Sequence, residues 1–252
     1  MTTAAEFLIL PHEHARSDRF RSRLVRALVL VETALRDSRR PYIAFSGGKD
    51  SIAVASLVHQ IRPEATLHWT DDELEYPEVV AMMSDLQHVA GDQFVTTLGR
   101  SQHGGWFVPW MSLPAFRDPL PGAIRKNIPA EFWMAERGFD LAFTGVRAEE
   151  SAKRRDWLVS QYGGTGHATY MAKTAALPRC CPIWDWSADD VWALIAIWGL
   201  PVNPVYLRLD SIGVPRKRQR IGPLPLARRD HLRDGWPDML ARLEKRYGSH
   251  WS

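Results

Sequence analysis

Ser46-Gly47-Gly48-Lys49-Asp50-Ser51 follows a short apolar run, Tyr42-Ile43-Ala44-Phe45. It opens a segment, Asp50 to Ile61, in which Ile52, Val54, Ala55, Leu57 and Val58 are almost continuously apolar. The run is too short for a helix, is bounded by Pro41 and by glycines, and reads as a buried strand. The segment after it reads as a helix lodged between a sheet and its cover. Two glycines at such a junction let the backbone come close to a ligand and turn its N–H groups inward. The helix start adds unpaired N–H groups and a positive dipole end, so the stretch predicts a phosphate site. Lys49 supplies a mobile cation, and the Ser46 and Ser51 hydroxyls supply further donors. This is not the Walker loop, in which Gly-Lys is followed by Ser or Thr, because Asp50 follows Lys49. The alternative is a plain Gly-Gly turn capped by Asp50 or Ser51.

Outward from the loop, strands and helices alternate. Ser17 to Arg40 is helical, with Phe20, Leu24, Leu28, Val31 and Leu35 at three- and four-residue spacing. Ala65 to Thr70 reads as a second strand, Pro77 to Val89 as a helix with Pro77 in its first turn, Phe94 to Leu98 as a third strand and Leu141 to Thr144 as a fourth. That rhythm implies parallel pairing with right-handed crossovers. The expected fold class is therefore α/β, a Rossmann-like parallel sheet with helices on both faces. A helical N-terminal segment (1–40) precedes the expected α/β domain (41–206), and a basic C-terminal extension (207–252) is expected to pack on the same domain. Gly99 to Pro129 is rich in Gly, Pro, Trp and His and has no clear period. Such a stretch is either a functional loop or an idle one. Gly163-Gly164-Thr165-Gly166 reads as a lid or as a plain linker.

With 45% hydrophobic and 24% charged residues in 252, the composition is globular and excludes a disordered or fibrous chain. No apolar run reaches the ~18 residues of a spanning helix, so no membrane partner is expected. Met1 to Leu10 has no basic flank and its apolar stretch breaks at Pro11, unlike a secretory signal. Two adjacent cysteines, Cys180 and Cys181, cannot staple the fold, which points to a reducing, cytoplasmic setting. The net charge of +3 allows an anionic partner without requiring one.

At this point the sequence resembles a known group. Ser-Gly-Gly-Lys-Asp-Ser after a strand is similar to the pyrophosphatase loop (PP-loop) of the adenine nucleotide α-hydrolase-like proteins. More narrowly, the chain from about Arg40 to Arg220 resembles the phosphoadenosine phosphosulfate (PAPS) reductase-like family. Asp71-Asp72-Glu73-Leu74-Glu75-Tyr76-Pro77-Glu78 resembles that family's motif after the second strand. Gly145-Val146-Arg147-Ala148-Glu149-Glu150-Ser151 with Arg154 resembles its Gly-x-Arg-x-x-Glu-Ser-x-x-Arg pattern. Pro182-Ile183-Trp184-Asp185-Trp186-Ser187 with Asp190-Val191-Trp192, and Pro201-Val202-Asn203-Pro204-Val205-Tyr206, complete the set in the family's order.

The resemblance implies roles for these residues. Ser46, Gly47, Gly48, Lys49, Asp50 and Ser51 would bind the phosphates of ATP or a related adenine nucleotide. Asp71, just past the second strand, would meet the ribose or a metal ion, unless it caps the helix at Pro77. Gly145 permits close approach at the end of the fourth strand, and Arg147 can hold a phosphate bidentately. Glu150 either orients Arg147 or, with Asp50, holds Mg²⁺. Arg154, one helical turn on, would face the same cleft. Lys49, Arg147 and Arg154 are thus the catalytic candidates. Glu149, Lys153 and Arg155 read as an exposed helix face, and the Trp184–Trp186 segment as a core strand leading into a helix capped by Ser187 or Asp185.

The departures from the family decide the chemistry. A thiol-dependent reductase carries a Glu-Cys-Gly-x-His tail, and this sequence has no cysteine after Cys181. Ser211-Ile212-Gly213 is followed by Val214 and Lys217 where cluster-bearing relatives place cysteines, so a four-cysteine iron–sulfur cluster is not expected. Cys180 and Cys181 read as buried, inert thiols. What remains is cleavage of ATP between the α- and β-phosphates, with AMP freed or transferred and pyrophosphate released. The acceptor could be a nucleic acid activated for sulfur insertion or one presented by a sulfur-transfer partner protein; a homodimer is a compatible assembly. The alternatives are a sulfonucleotide reductase, a protein like the small subunit of sulfate adenylyltransferase, and a non-catalytic nucleotide-sensing module. From Arg208 to Arg233, eight Lys or Arg stand against two acids, a patch suited to nucleic-acid phosphates, to the triphosphate itself or merely to solvent.

Overall fold

A computed structural model describes residues 7–71, 75–98, 128–164, 166–171, 176–222, 224 and 227–247. Two helices, α1 (Ile9–His14) and α2 (Asp18–Arg36), lead into strand β1 (Pro41–Ala44). Then come α3 (Lys49–His59), β2 (Thr66–Asp71), α4 (Pro77–Ala90), β3 (Phe94–Leu98), α5 (Ile128–Glu136), β4 (Leu141–Phe143), α6 (Ala152–Tyr162) and β5 (Arg179–Cys180). The chain closes with α7 (Ala188–Ile197), α8 (Pro204–Ser211), α9 (Arg229–Gly235) and α10 (Pro237–Tyr247).

The strands form one sheet in the order β3-β2-β1-β4-β5, and every pairing is parallel, with Tyr42 opposite both Thr66 and Ala142. Strand order therefore reverses between β1 and β4. In such sheets ligands bind outside the carboxyl ends of the strands at that crevice.

Side chains alternate across the sheet. Ile43, Leu67, Leu141 and Phe143 enter the larger core, which α2, α3, α7 and α8 share, whereas Tyr42 and Ala142 face a smaller cluster around Met134 of α5 and Phe139. Helices thus cover both faces, as the alternating pattern predicts.

The helix starts are written locally. Ser17 accepts from the Phe20 N–H, Ser187 and Asp190 form a reciprocal capping box, Ser151 accepts from the Arg154 N–H, and Asn203 accepts from the Val205 N–H. Ser187, and not Asp185, is thus the cap of α7. A column of edge-to-face rings runs through the larger core, Phe7 on Trp192 and Trp192 on Tyr206, each pair with centroids 4.9 Å apart. His14 of α1 bonds Asp190 at 2.8 Å, which ties the same N-terminal segment to the start of α7.

Two expectations change. The strand before Trp184 is only Arg179–Cys180, and the Trp184–Trp186 segment is a turn. Ile128–Glu136 is a helix, so order resumes at the end of the Gly99–Pro129 stretch; 99–127 itself lies outside the described residues. Asp72 to Leu74 and Thr165 lie outside them as well.

Candidate active site

The carboxyl end of β1 runs directly into the glycine loop. Gly47 has φ 68°, a left-handed conformation, and a Cβ there would stand 2.8 Å from Met83 Cε. Its carbonyl accepts from Asn203 Nδ2 at 3.1 Å. Pinning that oxygen to α8 turns the other side of the same peptide, the Gly48 N–H, the opposite way, where it meets Ser46 Oγ only at 3.4 Å. Ser51 closes the loop on itself: its hydroxyl donates to the Gly48 carbonyl at 2.9 Å and accepts from the Ser46 N–H at 3.1 Å. Gly48 is the residue before helix α3, with no side chain to block the first-turn N–H groups.

Beside it, the loop after β4 approaches closely. A Cβ on Gly145 would lie 2.9 Å from the Asp50 carbonyl carbon and 3.0 Å from its oxygen, so glycine is what lets this loop touch the first turn of α3. Two residues on, Arg147 is buried, 4% exposed, with Nε donating to Asp50 Oδ1 at 2.6 Å. Its Nη1 donates to Glu149 Oε2 at 2.8 Å and reaches the Trp186 carbonyl at 3.3 Å. Burial alone would lower the Arg147 pKa; Asp50 and Glu149 outweigh it and hold the guanidinium above its ordinary value.

Lys49 is also buried, 3% exposed, and its ammonium bonds Asp50 Oδ2 at 2.9 Å. Here burial wins: it pushes the Lys49 pKa down, with help from Arg147 and Arg220, against the pull of Asp50. Arg154 pairs with Glu150, and burial together with Arg220 and Arg147 lowers its pKa too. Arg220 donates to the Glu150 carbonyl at 3.3 Å, and a Cβ on Gly48 would lie 4.0 Å from Ile221 Cβ, so segment 220–221 forms a wall over the loop. The cleft therefore gathers Lys49, Arg147, Arg154 and Arg220 against Asp50, Glu149 and Glu150. An excess of fixed cations around inward-facing N–H groups suits a polyphosphate.

The structure thus brings together Ser46, Gly47, Gly48, Lys49, Asp50, Ser51, Gly145, Arg147, Glu150 and Arg154. Asp71 ends β2, the strand beside β1, at the same edge of the sheet, and it is Tyr76 that occupies the cap position of α4. One reading is corrected: Glu149 is not a bare solvent-facing side chain, because besides Arg147 it accepts from the Ala188 N–H at 2.6 Å and so joins the Arg147 loop to the start of α7. Asn203 and Tyr206 meet the loop although sequence reasoning assigned neither an individual role, and Arg220 is the member of the Arg208–Arg233 basic patch that reaches the cleft. Asn203 caps α8, and nothing in the Asn203-Pro204 pair announces its hold on Gly47.

A Mg²⁺ ligand pair was expected in Asp50 and Glu150. Both Asp50 oxygens are taken by cations and Glu150 by Arg154, and among the described residues no group of three or more His, Cys, Asp or Glu gathers as a metal site. These residues do not fit a resident Mg²⁺ in this arrangement. Cys180 and Cys181 are both fully buried, and burial raises the pKa of each thiol. Among the described residues no helix is long and apolar enough to cross a membrane.

The chain shares its family and its fold with known proteins. Residues 40–214 match the family model described as phosphoadenosine phosphosulfate reductase domain. An adenosine 5'-phosphosulfate reductase of Neisseria meningitidis serogroup B is 34% identical over 124 residues, covering 48% of this chain and 42% of the relative. Sulfate adenylyltransferase subunit 2 of Hyphomonas neptunium is 23% identical over 209 residues, covering 72% of this chain and 60% of the relative. The chain spans less than two thirds of the length of either. The fold is that of a PAPS reductase from Candida auris, solved as a phosphate complex, with TM-score 0.55 and 17% identity over 84% of this chain and 95% of that one. With 175 residues matched, from the strand before the glycine loop to Val214, the chain belongs to the phosphoadenosine phosphosulfate reductase family.

Proposed function

We propose that this chain binds ATP, delivered as its magnesium complex, and cleaves it between the α- and β-phosphates, releasing pyrophosphate and passing AMP to water or an acceptor. The observation that carries this reading is the meeting of Lys49, Arg147 and Arg154 at the glycine loop where strand order reverses. Negative charge grows on the α-phosphate and on the departing pyrophosphate, and these cations with the loop N–H groups oppose it. No general base is required of the chain, because positioning and charge neutralisation dominate such a step. Both thiols of the sequence are buried, which disfavours a reductive role for them. The name of the adenylyltransferase relative supports adenylyl transfer, and its being a subunit supports a protein partner that presents the acceptor.

The cationic segment around Arg216–Arg218 is partly used inside the molecule. The Arg216 guanidinium lies over the Phe7 ring at 3.9 Å and Lys217 stands 3.9 Å from Asp189. Arg220 belongs with the nucleotide cleft, so the segment serves the triphosphate in preference to a nucleic-acid acceptor. Incubating the protein with MgATP and identifying the products tests the proposal. AMP and pyrophosphate are expected; ADP and phosphate would overturn the reaction, and failure to bind ATP would overturn the site.

A further inference from the structure

Tyr206 stands in the first turn of α8 with its ring against Trp192, and the whole residue is 1% exposed. Its hydroxyl accepts from the Lys49 N–H at 2.9 Å. That amide belongs to the first turn of α3, where a phosphate oxygen would otherwise seek a donor. A Cβ placed on Gly48 would stand 3.4 Å from the same hydroxyl, so the phenol tip lies on the side of the loop toward which a Gly48 side chain would project. A phenol both accepts and donates. Among the described residues no acceptor is recorded for the Tyr206 proton.

We infer that Tyr206 is a phosphate-binding residue: its hydroxyl accepts from the Lys49 N–H and donates its own proton to a phosphate oxygen of the bound nucleotide. The inference rests on the reading that the loop binds a polyphosphate. The Lys49 amide is then not withdrawn from the site. It is extended by one hydrogen bond, and each bond of such a chain polarises the next. Burial, with Asp50 nearby, raises the Tyr206 pKa, so the proton stays in place at ordinary pH. The ring column Phe7–Trp192–Tyr206 fixes the tip in position. Asn203, three residues earlier, orients the Gly47–Gly48 peptide, so one helix corner sets both donors.

Tyr206→Phe keeps the ring and removes only the hydroxyl. Binding of ATP, inorganic pyrophosphate and adenosine is measured calorimetrically for both proteins, with the melting temperature as a control. The expected result is a loss of about tenfold in affinity for ATP and for pyrophosphate, as befits one hydrogen bond to a charged group, with adenosine unaffected. Equal affinity of the two proteins for pyrophosphate would overturn the inference, as would an equal loss for adenosine. If Tyr206→Phe does not fold, 4-fluorophenylalanine at the same position keeps the ring volume without the proton; the same tenfold loss supports the inference and wild-type affinity defeats it. Wild-type protein that binds neither ATP nor pyrophosphate would defeat the nucleotide reading itself.

Discussion

Arg147 Nε lies 2.6 Å from Asp50 Oδ1, which joins the loop after β4 to the first turn of the helix after β1. The two residues lie on either side of the crevice at which strand order reverses, so this contact closes the floor of the candidate site. It also means that a nucleotide phosphate arriving there competes with a carboxylate already in place.

Arg147→Ala leaves Asp50 with Lys49 alone and Glu149 with only the Ala188 N–H among its recorded partners. Removing one member of a buried ion pair costs about 3 kcal/mol where the other retains some solvent. Arg147→Lys should recover part of that stability but little ATP affinity, because a lysine cannot reproduce the fork. Urea unfolding alongside ATP titration separates the two effects; full ATP affinity in the lysine variant would contradict the assignment.

Gly145→Ala places a methyl carbon 2.9 Å from the Asp50 backbone, where no flexible side chain can give way. We expect a loss of about 1–3 kcal/mol by overpacking, with ATP binding impaired as α3 shifts. Gly222→Ala is the control, since a Cβ there meets nothing within 4 Å. Gly47→Ala should cost more than Gly48→Ala, because only Gly47 has positive φ and its Cβ would collide with Met83. Thermal melts of the four variants check the order.

Lys49 is charged against its surroundings, since burial lowers its pKa more than Asp50 raises it. Below that lowered pKa both folded and unfolded chains carry the proton, and the folded one bears the desolvation cost. As pH rises from the lowered value towards the ordinary 10.5 of a lysine, the folded state sheds the proton first and the cost fades. Lys49→Met should therefore melt at least as high as wild type at neutral pH, with an advantage that shrinks in alkali. It should also lose ATP affinity by about tenfold or more. A lower melting temperature at pH 7 would show that the pairing with Asp50 outweighs burial.

His68 sits on β2 with Nε2 2.9 Å from Thr97 Oγ1, and burial pulls its pKa from 6.5 down to about 4. The unfolded chain binds the proton first as pH falls. Stability therefore declines between pH 6.5 and 4, by about 3 kcal/mol in total, the 2.5 pH units separating the two pKa values at about 1.4 kcal/mol each. Chemical unfolding at pH 7 and pH 4.5 should show this decline in wild type and a shallower one in His68→Gln.

The parallel sheet was legible because short apolar runs such as Tyr42–Phe45 and Leu141–Phe143 are followed closely by glycine, and several helix starts carry Ser, Asn or Pro where the chain turns. Period and punctuation are local, so they survive without coordinates. The two-residue β5 was not legible, since Arg179–Cys180 gains strand geometry only by pairing with Ala142 and Phe143. The charged site was half legible. Lys49, Arg147 and Arg154 announce themselves by spacing from glycines, but Arg220 reaches Glu150 across 70 residues of chain. Glu149 looked idle because its partners, Arg147 and the Ala188 N–H, come from two different elements. The same distance hid Tyr206, whose hydroxyl bond to Lys49 exists only once α8 has docked.

The ring column from Phe7 through Trp192 to Tyr206 sets an order of biosynthetic events. Phe7 and the Ser46–Ser51 loop leave the ribosome before Trp192, which follows Phe7 by roughly 185 residues, and Tyr206 comes later still. A nascent chain can form β1 and α3 while the Lys49 amide lacks its phenol and the Gly47 carbonyl its amide partner. The proposed nucleotide site is therefore completed only when Asn203 and Tyr206 reach it, and ribosome-bound chains truncated before Asn203 would lack both contacts.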